Sequence, residues 1–343
     1  MTIKDLAKYS GVSVSTVSRV LNNHPDVSKA ARSKVLKAAS ELHYVPNDAA
    51  RDLVKPQSDA IGVVVRGIEN PFFSSVIHSI DRTLDEAGYT MVLHQIRTEE
   101  DEIQAGAALV RSKRLKGLIL LGGCFDYTPE KTAALEVPFV CCTFTNSFGS
   151  LDSASYSSVS IDDRAEAKRI VELLTKNGHQ KIAILLDSAN DRSIAELRLR
   201  GYLEALEGAG VKPDKGLVVE TGEFTMDAAY AGTKELLEKG KEFTAIFAIS
   251  DAMGIAAMKA LYDAGKKVPE DCSVVAIDGI DSSIYTIPTL TTLIQPRETM
   301  GREAAQILLE VLEGKGTNRH LRPDTRLREG GTVAEPSVKQ VFF

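Results

Sequence analysis

One short stretch of the chain exposes side chains suited to reading a polyanion. Over residues 13–22, Val17, Val20 and Leu21 fall at helical spacing and form a single apolar stripe. With that stripe turned inward, Val14, Ser15, Ser18, Arg19 and Asn22 remain outside. Their small, neutral or cationic character suits contact with base edges and phosphates, and a guanidinium at Arg19 can pair bidentately with guanine O6 and N7. Thr2, Ser13 and Thr16 add hydroxyls and complete the candidate set of this segment.

A second set stands at the ends of apolar runs. Asn70-Pro71-Phe72-Phe73 follows AIGVVV (60–65), so Phe72 and Phe73 can offer flat faces to a sugar ring or a base, or pack in the core. Asp278 directly follows SVVAI (273–277), a carboxylate that can accept from ligand hydroxyls or form a turn. Ser250-Asp251 follows TAIFAI (244–249) in the same way, with helix capping as the other use. Arg198 lies near the start of a helical stretch at 195–209, where its donor fork can hold hydroxyls or a carboxylate, or form a surface ion pair.

Catalytic signatures are missing. There is no GxSxG elbow, no GxxxxGK[ST] phosphate loop, no HExxH, and no GxGxxG after the first strand-like run. The histidines are scattered. Cys124, Cys141, Cys142 and Cys272 lie in or beside apolar runs without a CxxC pair, which reads as buried thiols in a reducing cytoplasm. The expectation is a chain that is not an enzyme and has neither a metal site nor a cofactor.

The first candidate face must be held by a second helix. Ile3, Leu6 and Ala7 give one helical stripe, Ser10-Gly11-Val12-Ser13 breaks it, and Ser13 is placed to cap the helix that follows. Two short helices joined by a glycine-containing turn form a helix-turn-helix, whose second helix can enter the major groove of DNA. A third helix opens at Ser28, with Val35, Leu36, Ala39 and Leu42 as its core face. Residues 47–57 hold a helix-competent stretch that Pro46 and Pro56 bracket, so it can form at most about two turns, a hinge candidate.

The strand-end candidates need parallel sheets. From Ala60 onward, short runs that are apolar throughout alternate with helical stretches: 60–65, 90–94, 117–121 and 138–142, then 181–186, 216–220, 244–249 and 273–277. That pattern predicts an α/β protein of two doubly wound parallel-sheet lobes behind the helix-turn-helix head, with a ligand cleft at the carboxyl ends of the strands. LTTLI (290–294) and the helix after it come late enough to return to the first lobe. The expected division is a head over 1–46, a hinge and linker over 47–59 and a core over 60–343. The first lobe would hold about 60–160 plus 291–321, the second about 161–290 plus 322–343.

Charge is distributed to match. The 343 residues carry a net charge of −6, yet residues 1–57 hold 9 Lys/Arg against 5 Asp/Glu and the remainder is acidic. A cationic head on an acidic body suits a protein whose head alone meets a polyanion. No run approaches the length of a membrane span, and Met1 is followed by polar residues rather than a secretory signal. A cytoplasmic, nucleoid-associated protein with no membrane partner is expected.

The stretch IKDLAKYSGVS-STVSRVLN, with HYVPNDAARDL at 43–53, closely resembles the N-terminus of the lactose/galactose repressor family of bacterial transcription regulators. The resemblance continues through NPFF (70–73), RLRGY (198–202), SDAMG (250–254) and LTTLIQP (290–296), and so covers essentially the whole chain. It implies a periplasmic-binding-protein-like core whose chain crosses between the lobes three times, near 160–162, 288–292 and 320–323. It implies also that Phe73, Arg198 and Asp278 touch an effector, and that Asn47, Ala50 and Leu53 meet DNA through the hinge, Leu53 as a minor-groove wedge. Two departures stand out. Many relatives have Asn-Asp at Ser250-Asp251, and a sugar-contacting aspartate of one member of the family falls at about Thr143. The leucine-heptad tail of tetrameric relatives is missing, which implies a homodimer.

The resulting expectation is a regulator, most simply a repressor, that binds near-palindromic double-stranded operator DNA under control of a small molecule, a sugar or sugar derivative. A nucleobase or protein corepressor, and a transport-type sugar-binding protein, are the alternatives.

Overall fold

The computed structural model describes residues 2–21, 24–42, 58–97, 100–189 and 192–336. The chain divides into two compact units, Met1–Ser58 and Asp59–Phe343.

In the first unit, helices α1 (Ile3–Ser10), α2 (Val14–Leu21) and α3 (Lys29–Glu41) enclose a small core of Leu6, Ala7, Val17, Val20, Val35 and Ala38. Gly11 ends α1 at φ 69°, a left-handed conformation that glycine adopts without a Cβ clash. Ser13 then caps α2, its Oγ accepting from the Thr16 amide at 3.1 Å. One core expectation is corrected here. Leu36 is 52% exposed, and Ala38 is buried beside Val35 instead. Successive helical residues are about 100° apart, so Leu36 turns away from the face that Val35 and Ala38 share.

The second unit contains two six-stranded sheets. The first holds β1 (Ala60–Arg66), β2 (Thr90–Ile96), β3 (Gly117–Leu121), β4 (Phe139–Cys142), β5 (Ser157–Val159) and β11 (His320–Leu321) in the order β11-β5-β4-β3-β1-β2. The second holds β6 (Ile182–Leu186), β7 (Val218–Glu220), β8 (Ala245–Ala248), β9 (Ser273–Asp278), β10 (Thr291–Ile294) and β12 (Arg326–Arg328) in the order β12-β10-β9-β8-β6-β7. Pairing is parallel throughout except between β10 and β12. The central strands β1, β3, β4, β6, β8 and β9 are buried almost end to end, as strands covered by helices on both faces must be.

The middle crossing differs from expectation. Thr291–Ile294 pairs with Val275–Asp278 in the second sheet, so the chain returns to the first lobe only at Gln295-Pro296. The reason is in the residue types: β10 has a buried, strand-forming TTLI that extends the second sheet, and Pro296 then closes it before the helix Arg297–Leu312. That helix packs along the first-lobe helix Phe72–Glu86.

Candidate functional site

In the head, α2 presents the face expected of it. Val17 and Val20 are buried, while Val14, Ser15 and Arg19 are exposed. Ser13 Oγ lies 2.8 Å from both Ser15 Oγ and Thr16 Oγ1, so three hydroxyls cluster where the helix begins. Ser18 is half-buried on the same helix. Thr2 caps α1 in a reciprocal arrangement: its Oγ1 accepts from the Asp5 amide while Asp5 Oδ2 accepts from the Thr2 amide at 2.8 Å. Asn22, Asn47, Ala50 and Leu53 lie outside the described residues.

In the core, a cavity of about 110 Å³ opens where the carboxyl ends of the two sheets face each other. The first lobe contributes Arg66 at the end of β1, Asn70, Phe72 and Phe73 at the following helix start, Gly122-Gly123 after β3, and Thr143 after β4, with Phe125 and Phe144 beside them. The second lobe contributes Asp187 after β6, Ser193, Ile194 and Arg198 at a helix start, Phe224, Asp278 at the end of β9, and Gln295 after β10. Five aromatic rings and a few polar tips make a surface suited to a flat or ring-shaped ligand.

A buried polar chain crosses this cavity. Arg198 donates from Nε and Nη2 to Asp163 Oδ1 at 3.0 and 2.8 Å, and from Nη1 to the Ile249 carbonyl. Nη1 is also 3.7 Å from Asp278 Oδ1. Asp278 accepts from Gln295 Nε2 at 2.8 Å and, from the opposite lobe, from Asn70 Nδ2 at 3.2 Å. Burial, reinforced by the nearby Asp251 charge, pushes the Asp278 carboxyl up to about 7 in spite of Arg198 and the two amides. Burial likewise raises Asp163 above the usual carboxylate range although Arg198 opposes it. Thr143 and Asp278 both have positive φ, 76° and 143°. Such backbone costs on the order of 1–3 kcal/mol per residue and tends to collect at ligand sites.

Phe72, Phe73, Thr143, Arg198 and Asp278 are thus brought together from both lobes. Ser250 and Asp251 are not. Ser250 caps the helix Asp251–Asp263, accepting from the Met253 amide at 3.2 Å. Asp251 is fully buried and takes its partners from Ile280, Ser283 and Thr292, away from the cavity. Both follow β8, but the helix they open turns their side chains into its own N-terminus and the neighbouring loop. Arg198 makes neither a surface ion pair nor a free donor fork, since its guanidinium is committed to Asp163 and Ile249.

Asp187 and Gln295 follow apolar strands just as Asp278 does, so that signal could have found them. Asn70 stood within the NPFF motif. Phe125, Phe144 and Phe224 sit in irregular segments, and no periodicity points to them.

Comparison with known proteins gives these features a family. The model for bacterial regulatory proteins of the lacI family matches residues 2–47, and that for a periplasmic binding protein-like domain matches residues 171–333. The HTH-type transcriptional regulator MalR of Clostridium butyricum is 40% identical over 331 residues, covering 96% of this chain and 98% of that protein. The chain belongs to the LacI family. This LacI-family chain is a DNA-binding transcriptional regulator, not an enzyme, with its helix-turn-helix in the first unit and a two-lobed effector-type core in the second. Two solved structures are similar to this chain over nearly its whole length. One is the transcriptional regulator CelR–cellobiose complex, 30% identical with a TM-score of 0.71 over 97% of this chain and 100% of that one. The other is the Lac repressor dimer bound to operator and the anti-inducer ONPF, 28% identical with a TM-score of 0.78 over 97% and 99%. Among the described residues no helix is long and apolar enough to cross a membrane.

Proposed function

We propose that this LacI-family regulator is a homodimeric repressor acting in the cytoplasm, at the nucleoid, whose hold on a near-palindromic operator is set by a sugar or sugar derivative between the lobes. The observation that carries the reading is the cavity at the strand ends, with phenylalanine walls and Asp278, Asn70 and Gln295 as its polar centre. Rings with apolar faces and hydroxyl edges fit such a lining, and the related CelR structure contains cellobiose. The head would read a half-site through Val14, Ser15 and Arg19, with Ser13, Thr16 and Ser18 placed for phosphates. Asn22, Asn47, Ala50 and Leu53 remain part of this reading through the family pattern. The division that goes with it is a head over 1–46, a hinge over 47–59 and a core over 60–343.

A second copy would dock on the second lobe. Ile284, Tyr285 and Ile287 are 49%, 82% and 97% exposed, within eight successive residues, 282–289, that carry no charge. Charge depletion around exposed aromatic and aliphatic side chains is the composition of an interface centre, and the related Lac repressor structure is a dimer.

A thermal-shift screen of mono- and disaccharides, sugar phosphates and nucleosides tests the effector. A ligand at about 100 times its dissociation constant adds about 2.7 kcal/mol, a visible rise in melting temperature. A response to nucleosides alone would replace the sugar with a nucleobase, and no response from any class would point to a protein corepressor.

A further inference from the structure

Asp251 is a buried carboxylate that the effector reading leaves unused. It is fully enclosed at the N-terminus of the helix Asp251–Asp263, yet three other elements converge on it. Its Oδ2 accepts from the Ile280 amide at 2.9 Å and from Ser283 Oγ at 2.7 Å. Its Oδ1 accepts from Thr292 Oγ1 on β10. Arg328 on β12 approaches to 4.0 Å and also donates to Ser283 Oγ.

The segment fixed by these bonds is short and runs from the cavity to the surface. It starts at Asp278, whose carboxylate lines the cavity, and passes through Gly279, where a Cβ would lie 2.7 Å from the Ile294 Cα. It then forms one turn of 3-10 helix over Asp281–Ile284 and emerges as the exposed run Ile284, Tyr285 and Ile287. Only two residues separate the cavity carboxylate from Asp281. Gly279 is pressed against β10, and both Ile280 and Ser283 are bonded to one carboxylate, so the turn that follows Asp278 is held at three successive points.

We infer that Asp251 is a positioning residue that ties cavity-facing Asp278 to the surface run Ile284–Ile287, so that a change at either end is transmitted to the other. The inference rests on the reading that an effector meets Asp278 and a second copy meets Ile284–Ile287. It adds the link between them. A buried carboxylate with several donors suits this task because removing it strands those donors, and so its geometry is strongly enforced.

Hydrogen exchange on the full-length chain tests the link without a ligand, by comparing Asp278→Asn, Asp251→Ala and the double variant with the unsubstituted protein. Asp251→Ala should speed amide exchange over 280–287 by about tenfold or more while leaving 72–86 within about twofold. Asp251→Asn should restore most of the protection, since its amide can accept from Ile280 and donate to a rotated Thr292 hydroxyl. Asp278→Asn should change exchange over 284–287 by about threefold, and that change should vanish in the Asp251→Ala background. An equal response to Asp278→Asn in both backgrounds, or none, overturns the inference. Should Asp251→Ala fail to fold, Ser283→Ala cuts only the loop side of the link and must likewise uncouple 284–287 from Asp278→Asn. Sedimentation equilibrium separates the two readings. A monomeric unsubstituted protein would sink the second-copy assignment, while the exchange cycle still decides the role of Asp251.

Discussion

Asn70 Nδ2 donates to Asp278 Oδ2 across 3.2 Å, and the two residues belong to opposite lobes. Asn70 Oδ1 meanwhile accepts from the Phe72 amide at 3.1 Å, which fixes the orientation of the side chain at the helix start. One amide thus anchors the first-lobe aromatic motif and bridges directly to the carboxylate of the second lobe. A ligand hydroxyl entering between them would compete for the same oxygen.

Asn70→Ala should open the cleft. It removes a donor that reaches Asp278 from the opposite lobe, and leaving a buried acceptor short of a partner costs about 1–3 kcal/mol. Small-angle scattering at pH 8 should show a larger radius of gyration than in the unsubstituted chain. An unchanged radius would mean that other contacts hold the lobes together.

Stability should carry the signature of Asp278. Its carboxyl titrates near 3.8 when unfolded and near 7 when folded, so between these values the folded chain binds a proton that the unfolded chain releases. The contribution is fully present below about pH 4 and is lost as pH rises through 7. Asp278→Asn removes this site from the titration. The stability of the unsubstituted protein relative to Asp278→Asn should therefore fall by a few kcal/mol from pH 5 to pH 8 in urea melts. A constant difference would place the proton elsewhere.

Arg198→Ala should act on folding first. It strips Asp163 of a partner inside the protein, and breaking one side of a buried ion pair costs about 3–5 kcal/mol. Calorimetric melting reads this directly. An unaltered melting temperature combined with lost effector affinity would return Arg198 to the role of a free ligand-binding fork.

Asp278→Ala should weaken whichever sugar the screen identifies by about 1–3 kcal/mol, because donors of the bound ligand lose their acceptor. Titration calorimetry measures this. Operator binding without ligand should persist, since the substitution is in the core unit.

Arg19→Ala should cost about 1–3 kcal/mol in operator affinity and relax specificity at one position per half-site. In vitro selection of binding sites with both proteins provides the comparison. A uniform loss across all sequences would identify Arg19 as a phosphate contact. Exchanging Val14 and Ser15 should instead shift the selected sequence.

Much of the protein was legible in its sequence because local order governs it. The capped, glycine-turned helices of the head follow from Ser13, Gly11 and the Val17–Val20 stripe, and these are short-range effects. The uniformly apolar runs at β1, β3, β6, β8 and β9 declare strands covered on both faces, hence parallel sheets with a cleft at their ends. Asp278 was visible because it ends such a strand. Tertiary structure decided what no local pattern encodes: which sheet β10 joins, and which strand-end groups face the cavity. Asp251 and Asp278 both sit where a strand of the second sheet ends, yet one is drawn into a loop by Ile280, Ser283 and Thr292 and the other meets Asn70 across the lobes. Arg198 offered the same donor fork to a ligand or to a carboxylate, and only the burial of Asp163 beside it settled the choice. A buried polar group takes whichever partner long-range packing brings within reach, and sequence spacing does not carry that distance.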